Sequence, residues 1–211
     1  MEPPYGSSGA ADCARMRMDN GFEVFHVRDP RFASAAARVL VRTGSVHEGA
    51  MCGCGVSHFA EHMAFAGAGG RGPEGVSAGA AAIGAGLNAY TSHDRTVYSA
   101  DCPAGSLGKS LRLLSEMLFE PDFPEGRFLA ERDVILREID MCADDADERV
   151  CDNLFSSMYV SSPLRYPVIG LRGMFGGVRP GDLRGYFSGR YCAQNMCLRA
   201  AKPRNCRSRA P

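Results

Sequence analysis

The string His58-Phe59-Ala60-Glu61-His62 holds residue types that do metal and proton chemistry, at a spacing that brings them together. On a helix, His58 and His62 stand about one turn apart on one face, with about 6 Å between their Cβ atoms. Two imidazoles so placed can converge on one ion, each at the usual zinc–nitrogen distance of about 2.0–2.1 Å. Glu61 falls on the adjoining edge of that face, beside such an ion and poorly aligned to be its main ligand. A carboxylate there can take a proton from water. Val56, Phe59, Ala60 and Met63 occupy the opposite face, so the helix is apolar behind and ionisable in front. The plainer alternative is two surface histidines beside a solvated glutamate.

Two histidines do not complete a zinc site, which needs a third protein ligand. A helix predicted over 125–142 offers carboxylates. Phe128, Glu131, Ile135, Glu138, Ile139 and Cys142 fall within one arc of about 100° on its helical wheel, with Asp133, Arg137 and Asp140 outside it. Glu131 and Glu138 thus sit two turns apart on an otherwise apolar stripe. A carboxylate turned towards a core is costly unless it is paired or metal-bound. Both can also flank the buried face and reach back to solvent.

These helices need a frame. Apolar alternation predicts strands over 22–27 and 35–43, and the segments 87–91 and 96–100 form an antiparallel pair across the turn Ser92-His93-Asp94. The segment 56–66 is helical and is followed by a glycine-rich loop and a small-residue helix ending near Ile83. Leu107, Leu111, Leu114 and Leu118 recur at helical spacing until Pro121 and Pro124. Helices over 146–159 and 180–191 and a strand over 195–200 complete the order. Strands and helices mix without regular βαβ alternation, which predicts an α+β single domain with helices packed on an antiparallel sheet. Residues 1–20 read as a flexible polar arm and 201–211 as an irregular basic tail containing Lys202, Arg204, Arg207 and Arg209.

Three stretches resemble a known family: Gly55-Val-Ser-His-Phe-Ala-Glu-His-Met-Ala-Phe65, Leu87-Asn-Ala-Tyr-Thr-Ser92 and Glu131-Arg-Asp-Val-Ile-Leu-Arg-Glu-Ile139. They are similar to the inverted-motif zinc metallopeptidases of the pitrilysin and insulinase family, and the likeness runs over residues 21–200. It implies a half-clamshell amino-terminal catalytic domain, with one zinc ion per chain, that hydrolyses peptides or small unfolded proteins. In that family the third ligand is a glutamate 76 residues beyond the second histidine in a Val-Ile-x-Arg-Glu context, which is where Glu138 stands. The resemblance therefore implies His58, His62 and Glu138 as metal ligands, Glu61 as the catalytic base, and Glu131 as support from behind the ligands. It also implies that Phe65, Asn88 and Ala89 bind substrate, the strand at 87–92 pairing with the peptide backbone. Ala60, Ala64 and Ala66 replace bulkier or basic residues, a change expected to reshape the pocket. The family's first domain continues beyond the strand at 195–200, and a second, similar domain closes over the substrate. The domain at 21–200 is thus expected to be incomplete at its carboxy-terminal end. The rival expectation is a catalytically weak fragment or non-catalytic scaffold subunit that needs a second homologous domain or subunit.

Composition excludes other classes. The 211 residues carry 24 Lys plus Arg against 24 Asp plus Glu, a balance that argues against nucleic-acid binding. No apolar run is long enough to span a membrane, and the first twenty residues lack an export or transit signal, so a cytoplasmic location is expected. The nine cysteines show no Cys-x-x-Cys spacing and are expected as free thiols. Gly67-Ala-Gly-Gly-Arg-Gly72 matches a dinucleotide fingerprint but follows a helix instead of a strand, and His93 reads as a solvated turn residue.

Overall fold

The computed structural model describes residues 12–29 and 31–203. Its strands are β1 (Asp12–Arg17), β2 (Glu23–Arg28), β3 (Ser34–Val41), β4 (Gly86–Thr91), β5 (Thr96–Pro103) and β6 (Met196–Lys202). They form one open sheet in the order β1-β2-β6-β3-β5-β4. Only β2 and β6 run parallel; the other neighbours are antiparallel. The helices are α1 (Val56–Phe65), α2 (Pro73–Ala82), α3 (Leu107–Phe119), α4 (Glu125–Asp144), α5 (Ala146–Met158), α6 (Arg172–Phe175) and α7 (Pro180–Arg190). This is the expected α+β class, an antiparallel sheet flanked by helices, with one parallel pair added.

The pleat decides which face is covered. Along β3, Ala35, Ala37, Val39 and Val41 are buried while the residues between them keep contact with solvent. Tyr98, Ala100 and Cys102 of β5 lie buried in the same core cluster. Helix α3 covers these two strands with Leu107, Leu113, Leu114, Met117 and Leu118. Helix α1 packs against α4, α7 and the edge strand β4. Its Phe59 ring lies 4.8 Å from that of Phe128 on α4 and 5.3 Å from that of Phe175 on α6. No helix among the described residues is long and apolar enough to cross a membrane.

The elements differ from expectation at three places. Residues 12–17, inside the stretch read as an arm, form β1 and pair along their whole length with β2. All six residues of β1 are exposed, so no apolar alternation marks the strand; backbone pairing and the Arg15–Glu23 ion pair hold it. Strand β6 runs on through Lys202, two residues into the expected tail, because Ala201 and Lys202 find partners on β2. Arg204, Arg207 and Arg209 lie outside the described residues, as do residues 1–11. Helix α6, a single turn, has too few residues to show a period.

The start of α1 depends on two glycines in close approach. Gly55 has φ +67°, and a Cβ there would sit 2.1 Å from the Ile169 carbonyl oxygen. Gly170 has φ +89°, and its Cβ would sit 2.7 Å from the Gly55 nitrogen. Gly55→Ala should therefore lower stability by at least about 2 kcal/mol, adding a steric clash to the left-handed backbone penalty. Gly185→Ala, in exposed helix with nothing within 4 Å, should raise it by about 0.5–1 kcal/mol. Urea unfolding of the two variants checks both signs; a neutral Gly55→Ala would mean the loops can separate freely.

Candidate metal centre

Helix α1 presents its two histidines away from the core, as the buried Val56, Phe59, Ala60, Met63 and Ala64 require. Their ring centroids are 4.6 Å apart. Helix α4 buries Phe128, Ile135 and Ile139, which turns Glu131 and Glu138 along the same stripe towards α1. His58, His62 and Glu138 each offer a ligand atom, and these atoms lie within 4.8 Å of one another. Glu138 Oε2 is 3.5 Å from His62 Nε2 and 4.0 Å from His58 Nε2. Two donors on one tetrahedral zinc ion stand about 3.3–3.4 Å apart, given metal–ligand distances of about 2.0–2.1 Å. The observed spacings are near that, and too wide for strong direct hydrogen bonds.

The two imidazoles have different surroundings. Glu131 Oε2 lies 3.3 Å from His62 Nδ1, on the ring nitrogen not facing Glu138. A carboxylate there holds the proton on Nδ1 and leaves Nε2 with its lone pair towards the cluster. Burial lowers the His62 pKa, but the Glu131 hydrogen bond and the charges of Glu138, Glu61 and Glu131 outweigh it, and the net shift is upward. His58 has no such support: its Nδ1 is buried without a hydrogen-bond partner. Burial, with the nearby His62, pushes its pKa down to about 3. A buried, neutral imidazole suits a metal ligand, which must be deprotonated to bind. The donor set fits a zinc-type ion.

Glu61 is 9% exposed and lies beside this group. Burial raises its pKa, opposed by a hydrogen bond from Thr91 and the charge of His62, with Glu138 adding to the rise. Thr91 Oγ1 donates to Glu61 Oε2 at 2.6 Å. Sequence reasoning placed Thr91 only at the end of a strand. The signal available was the period of two, which sets Thr91 on the same face as Ala89 and Leu87.

Two cavities flank the group. One, of about 540 Å³, is lined by Glu61, His62, Phe65, Leu87, Asn88 and Ala89 among others, so the three residues expected to bind substrate share a wall with the metal group. The Asn88 side chain accepts from the Ala89 amide at 2.9 Å. The other cavity, of about 340 Å³, opens beside His58 and is lined by Glu148, Asp152, Cys142 and Cys151. His93, in the turn between β4 and β5 as expected, lines it too, and it is half-buried by stacking on Phe155 with ring centroids 5.4 Å apart. Ala60, Ala64 and Ala66 lie in the core and line neither cavity. In the glycine-rich loop the amides of Gly69, Gly70 and Arg71 are bonded to Glu120, Asp122 and Ala68, which leaves none of the three for a phosphate. The eight cysteines among the described residues are free.

Residues 23–171 match the sequence profile of the insulinase family, peptidase family M16. The chain is 34% identical over 184 residues to the mitochondrial-processing peptidase subunit beta of Caenorhabditis elegans, covering 87% of this chain and 40% of that protein. It is 30% identical over 185 residues to an uncharacterized zinc protease of Rickettsia felis, covering 88% of this chain and 45% of that one. A protease from Helicobacter pylori superposes with a TM-score of 0.87 at 23% identity over 94% of this chain and 48% of its own, a likeness of fold. The chain thus spans less than half the length of these relatives.

The geometry makes metal binding measurable. The purified chain should take up close to one zinc ion, and Glu138→Gln should weaken that binding by more than about tenfold, since one of three protein ligands is lost. Zinc content unchanged in Glu138→Gln by equilibrium dialysis would remove Glu138 from the ligand set.

Proposed function

The chain belongs to the insulinase family of peptidases, family M16, and from that membership we propose that it is the amino-terminal catalytic half of a zinc metalloendopeptidase acting on peptides or small unfolded proteins. The observation that carries this reading is the convergence of His58, His62 and Glu138, with Glu61 alongside and hydrogen-bonded to Thr91. When bound, zinc supplies Lewis acidity to a water and to the scissile carbonyl. His58, His62 and Glu138 hold the ion. Glu131 fixes the tautomer of His62 through Nδ1. Glu61 takes the proton of the attacking water and delivers it to the leaving amine; its burial strengthens it as a base, and Thr91 holds one of its oxygens still.

Substrate contact follows from the edge of the sheet. Among the described residues β4 pairs with β5 on one side only, so its other edge can accept an extended peptide by backbone pairing, with Asn88 and Ala89 on the cavity wall. The cavity beside Phe65 and Leu87 suits an apolar side chain on one side of the cut. The cavity beside His58 carries Glu148 and Asp152 and suits a cationic side chain on the other.

A second reading, a fragment or scaffold subunit that works only with a homologous second half, is favoured by one observation: the chain spans 40% and 45% of its curated relatives. Both cavities stand open to solvent on the single domain, and an unclosed site loses the positioning of the scissile bond, worth several kcal/mol of the barrier. A quenched fluorescent peptide separates the readings. Turnover by this chain only after a complementary carboxy-terminal half is added supports a half-enzyme; turnover by the chain alone makes the second half dispensable; none in either case favours the scaffold. Glu61→Gln should keep zinc while hydrolysis disappears. Loss of zinc together with activity in that variant would make Glu61 a ligand and overturn the assigned roles.

A further inference from the structure

Helix α1 begins without a cap of its own. Gly55 stands at its N-cap in left-handed backbone and offers no side chain to the amides of the first turn. The acceptor comes from nine residues upstream. Glu48 Oε1 accepts from the Ser57 amide at 2.9 Å and from the Ser57 hydroxyl at 2.6 Å. Ser57 directly precedes His58. Glu48 is 4% exposed. The backbone amides of Gly53 and Gly55 also act on its carboxylate, while Oε2 is buried and closes no hydrogen bond. No arginine or lysine side chain forms an ion pair with it among the described residues.

This arrangement is costly for the fold. A buried carboxylate without a cation, and with one oxygen unpartnered, is worse for stability than an apolar side chain of similar size. What it supplies is direction. The helix N-terminus carries a partial positive charge, and a carboxylate gripping both the amide and the hydroxyl of one first-turn residue fixes the rotation of that turn about the helix axis. The glycine at the N-cap cannot do so, and neither can the apolar contacts of Phe59 and Val56, which tolerate small slides.

We propose that Glu48 is a positioning residue for the metal centre: through Ser57 it holds the first turn of α1 in the rotation that turns His58, and His62 one turn later, towards Glu138. Glu48 touches none of these side chains and acts only through Ser57 and the helix. The inference rests on the reading of His58, His62 and Glu138 as metal ligands.

The test uses the 211-residue chain and cobalt(II) alone, read by its visible absorption, together with hydrogen exchange of the α1 amides. E48A should bind cobalt at least about tenfold more weakly than the unmodified chain, with a shifted absorption band, as loss of a residue supporting the ligands does. Exchange should rise in the first turn of α1 and stay unchanged in α3. E48Q keeps an oxygen for Ser57 and should restore affinity to within about threefold, whereas S57A, losing only the hydroxyl, should weaken it about threefold. Wild-type affinity and band in folded E48A would overturn the proposal, and so would E48Q binding as weakly as E48A. If E48A fails to fold, S57A decides: unchanged cobalt affinity there overturns the proposal, and weakening supports it. Absence of cobalt binding by the unmodified chain would instead overturn the ligand reading itself.

Discussion

The packing of α1 on α4 is the contact on which the rest depends. Phe59 and Phe128 meet with ring centroids 4.8 Å apart, and both are nearly or fully buried. His58 stands one residue before Phe59, and Glu131 and Glu138 follow Phe128 along the same stripe of α4. Once the two apolar faces interlock, helical geometry brings imidazoles and carboxylates to the same rim of the contact. Buried area stabilises the pair by the hydrophobic effect, and the ionisable groups take positions that the core cannot use.

Those positions are electrostatically unbalanced without a cation. Three carboxylates, from Glu61, Glu131 and Glu138, gather around the two imidazoles. The imidazoles respond in opposite directions: His58 is driven neutral by burial, and His62 is drawn towards its charged form by the acids around it. A dication bound here would take over as countercharge to the acids and would hold both histidines neutral, which His58 already favours and His62 alone does not. Glu61 is held by the Thr91 hydroxyl. A hydroxyl donor steadies a carboxylate with less loss of basicity than a full positive charge brings.

Much of this was legible in the sequence, for reasons that differ by element. Helices α1, α3 and α4 carry their burial as a period close to 3.6, and the facing of Glu131 and Glu138 follows from the same wheel. The wheel cannot say which of the two glutamates meets both histidines, because both lie on the stripe; the family likeness points to Glu138, and in the structure Glu138 lies near both rings with Glu131 on the back of His62. Strand β1 was illegible because it buries nothing. Glu48 and Thr91 were illegible for another reason. Their roles arise from contacts across nine and thirty residues, and nothing in local composition separates either from the other acids and threonines of the chain.

The topology ties the β4 edge to Glu61. β4 is the edge strand, and its register with β5 sets Ala89 opposite Tyr98 and Thr91 opposite Thr96. Tyr98 is fully buried and hydrogen-bonded to Tyr191, and Thr96 is bonded to the Thr43 carbonyl, so β5 is pinned from beneath. A slip of β4 by one residue would invert its faces and swing Thr91 away from Glu61 while moving the Asn88–Ala89 edge along the sheet. The strand proposed to align a peptide and the hydroxyl that steadies Glu61, the proposed base, therefore move as one body. Alignment of a bound backbone and readiness of Glu61 are not independent properties of this fold, because a single register determines both.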